Sequence, residues 1–243
     1  MNARDWIVLS VLVLAAIAGG VWFFSPVSYR FRITVAVETP QGVREGASVL
    51  ETSTIYQPTF LGATGGRFPS LHGQAVFVDL GQGRHLIGLL AHGPRGEGVD
   101  GVMMLPVSAF GLRSSGVGRG QNAHEMAAAL PAGSRRELSS DLIPTLVTFG
   151  DLADPASARV VEPTDAGFAS AFGPGFRLAG VTLEMVPAGT WPFNLVGLSG
   201  TPVTRGIEGK LAFLKRMRDD GLSGRIDTDP NRFIPNFPYF VRG

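Results

Sequence analysis

YRFRITVAVET, residues 29–39, decides how this chain is read. Tyr29, Phe31, Ile33, Val35 and Val37 alternate with Arg30, Arg32, Thr34 and Glu38. A period of two gives a strand one apolar and one polar face. Pro40-Gln41-Gly42 follows with turn chemistry, since proline fixes φ and glycine accepts a positive one. Val43 to Tyr56 reads as the returning strand, so the domain is expected to open on a β-hairpin.

Outward from that hairpin, Ala75–Leu80 (AVFVDL) and Arg84–Ala91 (RHLIGLLA) flank Gly81-Gln82-Gly83 and predict a second one. Their apolar runs are nearly continuous, as expected of strands buried on both faces. The two hairpins share a pattern, Val35-x-Val37-Glu38-x-x-Gln41-Gly42 against Val76-x-Val78-Asp79-x-x-Gln82-Gly83. Two similar turns account for it more simply than an internal duplication. Leu142–Phe149, Ala158–Val161 and Phe176–Val186 predict further strands, the last with Ala179, Val181, Leu183 and Met185 on one face. Residues 57–73 and 93–101 read as Gly/Pro-rich loop, with a short apolar run at 102–110.

The predicted helices are short. Asn122 with Glu125 three residues on is a capping signal, and Pro131 closes that helix. Ser134–Glu137 is a second such signal, for a brief turn, and Thr164–Phe172 reads as a helix stopped at Gly173. Thr204 is expected to cap an amphipathic helix over 205–220, with Ile207, Leu211, Leu214 and Met217 as its apolar stripe. The expected fold class is mainly β (α+β), one β-rich globular domain over 25–226.

Before the domain, Trp6 to Phe24 runs nineteen residues without a charge. A helix of that length is about 28 Å long, close to the hydrocarbon thickness of a bilayer. Trp6 marks one end and Trp22, Phe23, Phe24 and Tyr29 the other, as interface aromatics do. After a short tail, 1–5, the segment 6–24 is therefore expected to be a retained signal-anchor. A cleavable signal peptide is the rival, because Ala16-Ile17-Ala18 resembles a cleavage site. Hydrophobicity continues past that point through Val21 to Phe24, which favours retention. The layout predicts a single-pass protein of the inner membrane with its domain on the periplasmic or extracellular side.

Composition narrows the function classes. Net charge is +1, so nothing argues for nucleic acid. Cysteine is absent, which removes disulfides, thiolate nucleophiles and Cys-ligated zinc together. Gly 33 and Pro 17 imply many turns. Residues 227–243 interleave Pro230, Pro235 and Pro238 with Phe233, Phe237, Tyr239 and Phe240, a tail whose aromatics need cover, from a partner or from the domain itself.

Three stretches, VETPQGVREGASV (37–49), AFGPGFRL (171–178) and PVTRGIEGKL (202–211), resemble a family of uncharacterised bacterial proteins with one N-terminal span. The resemblance would cover most of the chain and implies no activity, cofactor or partner.

Few residues offer chemistry. Gly116-x-Gly118-x-Gly120 with Arg113 and Arg119 would present backbone N–H groups to a small anion or glycan, although it is neither G-x-G-x-x-G nor a Walker loop. His72, His85, His92 and His124 are the only imidazoles; His124-Glu125 is no HExxH, and no spacing guarantees a metal site. Gly197-Leu-Ser199-Gly200 and Gly221-Leu-Ser223-Gly224 are not G-x-S-x-G. Asp227-x-Asp229-x-Asn231 opens like a calcium loop, but Arg232 stands where glycine is needed. Lys210, Lys215, Arg216 and Arg218 would rest on anionic headgroups if their helix lay on the membrane. The leading expectation is a non-catalytic binding or assembly domain with the lipid bilayer and a protein as partners and no cofactor. The alternatives are a hydrolase or metal-dependent enzyme using His and carboxylates, and an anion or glycan binder at 111–120.

Overall fold

The computed structural model describes residues 6, 10, 12, 26–57, 66–93, 96, 99–113, 122–190, 193, 194, 196–219 and 237–243. Their strands are β1 (Val27–Thr39), β2 (Gly42–Gln57), β3 (Gly66–Gln74), β4 (Val76–Gly81), β5 (Arg84–His92), β6 (Arg135–Leu138), β7 (Pro144–Phe149), β8 (Ala158–Val160), β9 (Arg177–Val186) and β10 (Val241–Arg242). The helices are α1 (Leu105–Ala109), α2 (Ala123–Ala128), α3 (Asp165–Phe172) and α4 (Ala212–Asp219). One sheet has the order β10-β3-β2-β1-β9-β6, the other β4-β5-β7-β8, and their pairings are antiparallel. The fold is mainly β with short helices, as the alternation in 29–39 predicts.

β1 lies inside the first sheet, between β2 and β9. Its apolar row, Tyr29, Phe31, Ile33, Val35 and Val37, is buried in the core shared by both sheets. The sheets come close where β2 carries Gly46 opposite Val35. A Cβ on Gly46 would collide with the Phe77 carbonyl on β4. On the facing strand, Gly88 leaves room for Val35 and Val76. Glycine therefore sets the spacing between the two layers at this crossing.

β5 is buried on both faces, since all residues from His85 to Ala91 are buried. One face meets the first sheet; the other is covered by α4 and the C-terminal segment. The Phe149 ring lies 5.5 Å from Phe213 of α4 and 6.2 Å from Phe240, centroid to centroid. Phe213 and Phe240 meet edge to face at 5.6 Å. Such aromatic pairs add about 0.5–1.5 kcal/mol each beyond the area they bury.

Four expectations are corrected. The loop predicted over 57–73 holds β3, which pairs with β2 from Glu51↔His72 to Gln57↔Gly66. Ser134–Glu137 leads not into a turn but into β6, an edge strand on β9. The helix predicted over 205–220 is a 3-10 turn, Ile207–Gly209, followed by α4. Gly206, at φ 105°, opens that turn, and Thr204 caps nothing: it exchanges hydrogen bonds with the Val49 backbone of β2. Within β9, Ala179 is exposed because the β1 register shifts between Ala36↔Gly180 and Val37↔Leu178. The two hairpins also turn differently. Gln82 and Gly83, at φ 55° and 75°, form the second turn, whereas Pro40 and Gln41 form the first. The span predicted at 6–24 lies outside the described residues apart from Trp6, Ser10 and Leu12, and among the described residues no helix is long and apolar enough to cross a membrane.

Gly46→Ala is expected to destabilise the domain by about 1–3 kcal/mol through overpacking. Gly209→Ala, with open space around the added methyl, serves as control. Urea midpoints of the two variants check the difference; equal midpoints would show that the layers yield freely at Gly46.

Candidate functional site

The anion loop expected at 111–120 is described only to Arg113, which is exposed; Gly116, Gly118, Arg119 and Gly120 lie outside the described residues. The capping signal after it is present. Asn122 Oδ1 accepts from the His124 amide at 3.1 Å, and Glu125 Oε2 accepts from the Asn122 amide at 3.2 Å.

The basic residues of 205–220 are mostly engaged within the chain. Lys210 Nζ sits 4.3 Å from the centroid of the Phe77 ring. Arg216 donates to the Ala153 carbonyl at 2.6 Å, and Arg218 to both oxygens of Glu208 at 2.9 and 2.7 Å. Lys215 is exposed. In the tail, Phe233 lies outside the described residues, Phe237 and Tyr239 pack at the edge of the core, and Phe240 is wholly buried in it. Val241 and Arg242 extend the first sheet beside β3.

The four imidazoles occupy separate surroundings. His85 is stacked between Phe77 and Phe149, with centroids 5.9 and 6.3 Å away. Its Nε2 accepts from the Phe149 amide at 3.2 Å, which requires the neutral ring. Burial holds its pKa below the ordinary 6.5 against the opposing pull of the Gly83 carbonyl and Asp79. His92, also depressed by burial, lies 3.2 Å from the Ile143 carbonyl through Nδ1. His124 Nδ1 is 2.9 Å from the hydroxyl of Tyr29, whose pKa burial pushes up to about 12. His72 stands on β3 opposite Glu51. Among the described residues no three His, Asp or Glu side chains group as metal ligands.

The concave feature lies elsewhere. A cleft of about 510 Å³ opens between α3 and the ends of β5, β7 and β8. α3 forms because Thr164 accepts from the Gly167 amide at its start and Gly173, at φ 100°, ends it. Phe168 and Phe172 anchor its inner side in the core. Gly167 lies so close to the Glu162 backbone that a Cβ there would clash, which fixes the helix against the end of β8.

The cleft is lined by Arg84 from β5, Thr148 from β7, Arg159 from β8, and Glu162 and Ser170. Arg159 is paired in register with Thr148, whose hydroxyl donates to the His85 carbonyl at 2.8 Å, so Arg84 and Arg159 stand on the two strands that flank β7. Arg84 lies 5.4 Å above the Phe176 ring and donates to Gln82 Oε1 at 2.6 Å. Neither guanidinium forms an ion pair among the described residues. Two unneutralised planar donors at a concave wall suit a carboxylate or phosphate. Sequence reading missed this site because its residues share no local spacing.

Comparison with protein families, curated proteins and solved structures yields no match. The resemblance carried by 37–49, 171–178 and 202–211 gains no support from it.

His85 and His92 make stability fall with acid. Each is held neutral in the fold and protonates more readily in the unfolded chain. Their contribution is complete above about pH 6.5 and is lost as pH falls through the lower native values. His85→Gln, which keeps an acceptor near the Phe149 amide, is expected to flatten the decline of the urea midpoint between about pH 7.5 and about pH 5. An unchanged slope would remove His85 from the account.

Proposed function

We propose that the chain is a single-pass, membrane-tethered binding domain on the exported side, which offers the α3 cleft to a ligand bearing a carboxylate or phosphate. The observation that supports it is the placement of two features at opposite ends of β1. The uncharged run 6–24 ends two residues before Pro26. The cleft lies toward the other end, where Gly175 packs on Pro40 of the first turn and Phe176 lies under Arg84. Thirteen residues of β1 separate the two, about 40 Å at roughly 3.3 Å per residue.

The described residues of the run accord with a lipid setting. Trp6, Ser10 and Leu12 are helical, and Ser10 Oγ donates back to the Trp6 carbonyl at 2.8 Å. Trp6 and Leu12 are exposed. A ligand would meet Arg84 and Arg159 with its anionic group and Glu162 and Ser170 with a hydroxyl or amine. Among the described residues the wall carries two arginines, Arg84 and Arg159, and one glutamate, Glu162, a set suited to holding a ligand with an anionic group.

Two measurements test this reading. The chain has no cysteine, so Gln41→Cys at the first turn provides a unique thiol. It is expected to react with a membrane-impermeant maleimide in intact spheroplasts; labelling only after lysis would place the domain on the cytoplasmic side. Inorganic phosphate is expected to raise the Tm of the detergent-solubilised protein above that in chloride of equal ionic strength. Arg84→Ala/Arg159→Ala should abolish that rise while shifting the unliganded stability by no more than about 0.5 kcal/mol. Equal responses of both proteins would remove the cleft as the binding site.

A further inference from the structure

The outward face of β1, β2 and β3 changes character toward the start of β1. Register places Arg30, Glu51 and His72 in one row across the three strands, and Ser28, Ser53 and Ser70 in the next. One further step of two residues brings Ile55 opposite Phe68 on the same face, and both are about half exposed. The pairing between Glu51↔His72 and Ile55↔Phe68 is continuous, so the alternation is preserved. On this face Arg30 holds the carbonyls of Thr201 at 2.7 Å and Asn194 at 3.0 Å. The backbone between those anchors carries Val196 and Leu198, 70% and 76% exposed, with Phe193 beside them.

Ile55 and Phe68 therefore lie on this face toward the start of β1, and the segment carrying Phe193, Val196 and Leu198 is pinned to the same face at Arg30. That start is the end at which the chain arrives from 6–24, because Val27 pairs with Thr54, next to Ile55. Ser25 and Pro26 alone separate Phe24 from Val27, a reach of about 10 Å even when extended. Two charges of this face are paired, Arg30 with Glu51 and Arg32 with Glu184.

We propose that Ile55, Phe68, Phe193, Val196 and Leu198 form a membrane-seating rim that enters the headgroup region of the bilayer beside the span. The proposal rests on the tethered reading and gives it an orientation. The occupant is lipid rather than a protein because the rim lies beside Val27, two residues after the uncharged run 6–24 whose length and composition suit hydrocarbon. Contact is apolar, so it needs no anionic lipid.

The test uses full-length protein reconstituted in phosphatidylcholine vesicles, with a nitroxide on single cysteines at Phe68→Cys, Val196→Cys, Leu198→Cys and, as distal control, Gln41→Cys. The expected result is that the first three labels meet oxygen more readily than a water-soluble nickel complex, while the Gln41→Cys label shows the reverse order. Flotation after an alkaline wash is measured on the same samples. Protein that floats but carries water-accessible labels at all four positions overturns the rim and leaves the tether standing. Protein that does not float overturns the tether and the rim with it. Labels shielded from both reagents and broadened by mutual contact overturn the rim in favour of a second copy of the chain.

Discussion

Burial of Arg30 sets how the first sheet is finished. Its place in the alternation of β1 is on the polar side, yet its side chain is only 4% exposed. A guanidinium taken out of water needs acceptors for its fixed fork of donors. Glu51, its cross-strand neighbour, supplies one and the charge balance. The others are main-chain carbonyls of Asn194, Thr201 and, at a longer 3.5 Å, Ser199, all on the connection after β9. That connection is thus drawn across the outer face and leaves it by pairing Thr204 with Val49. Removing one partner of such a pair costs about 3–5 kcal/mol, because the other charge stays buried and unpaired. The same bonds that satisfy Arg30 hold Val196 and Leu198 outward, so the exposed apolar rim is a consequence of how a buried charge is solvated by protein.

The second sheet poses the opposite problem, an apolar strand with nothing polar to turn outward. β5 is buried along seven consecutive residues, and the first sheet can cover only one of its faces. The remaining cover comes from the last part of the chain, Phe213 on α4 and Phe240 just before β10. Each buried phenyl ring contributes about 1.5–3 kcal/mol by transfer from water. The aromatics at 237–240 therefore serve the domain's own core, and a partner docking on the tail would have to compete with that burial. His85 belongs to the same stack and takes its neutrality from it, which explains why an imidazole in this protein behaves as an aromatic ring with one acceptor.

Much of the fold was legible wherever the deciding information is local. Alternation in 29–39 and the turns at 40–42 and 81–83 locate both hairpins, and Asn122, Thr164 and Gly173 locate the ends of two helices. β3 was not legible, because GRFPSLHGQ contains two glycines and a proline and becomes a strand only through pairing with β2. β6 reads RREL, and its strand character is likewise conferred by β9. Helix 205–220 failed for a different reason: its apolar spacing is genuine, but Gly206 and Gly209 interrupt the backbone and Thr204 is more strongly engaged by Val49. The cleft was invisible for the reason that hides most sites. Arg84, Thr148 and Arg159 become neighbours only through the order β5-β7-β8, and in sequence they are three unremarkable strand positions.

β1 links these features physically. It is the first element after the uncharged run, it carries Arg30 near its start, and its far end meets the turn on which Gly175 packs. A regular strand held on both sides by β2 and β9 has no hinge along its length. Whatever fixes its start therefore fixes the attitude of the cleft about 40 Å away. On the tethered reading, a two-residue link alone would still leave the domain free to swing about Pro26. If the proposed rim enters the interface beside that link, the freedom is removed, since swinging would lift Val196 and Leu198 out of it. On the same reading the rim would act on binding by orientation, because Arg84 and Arg159 lie toward the far end of β1 from it.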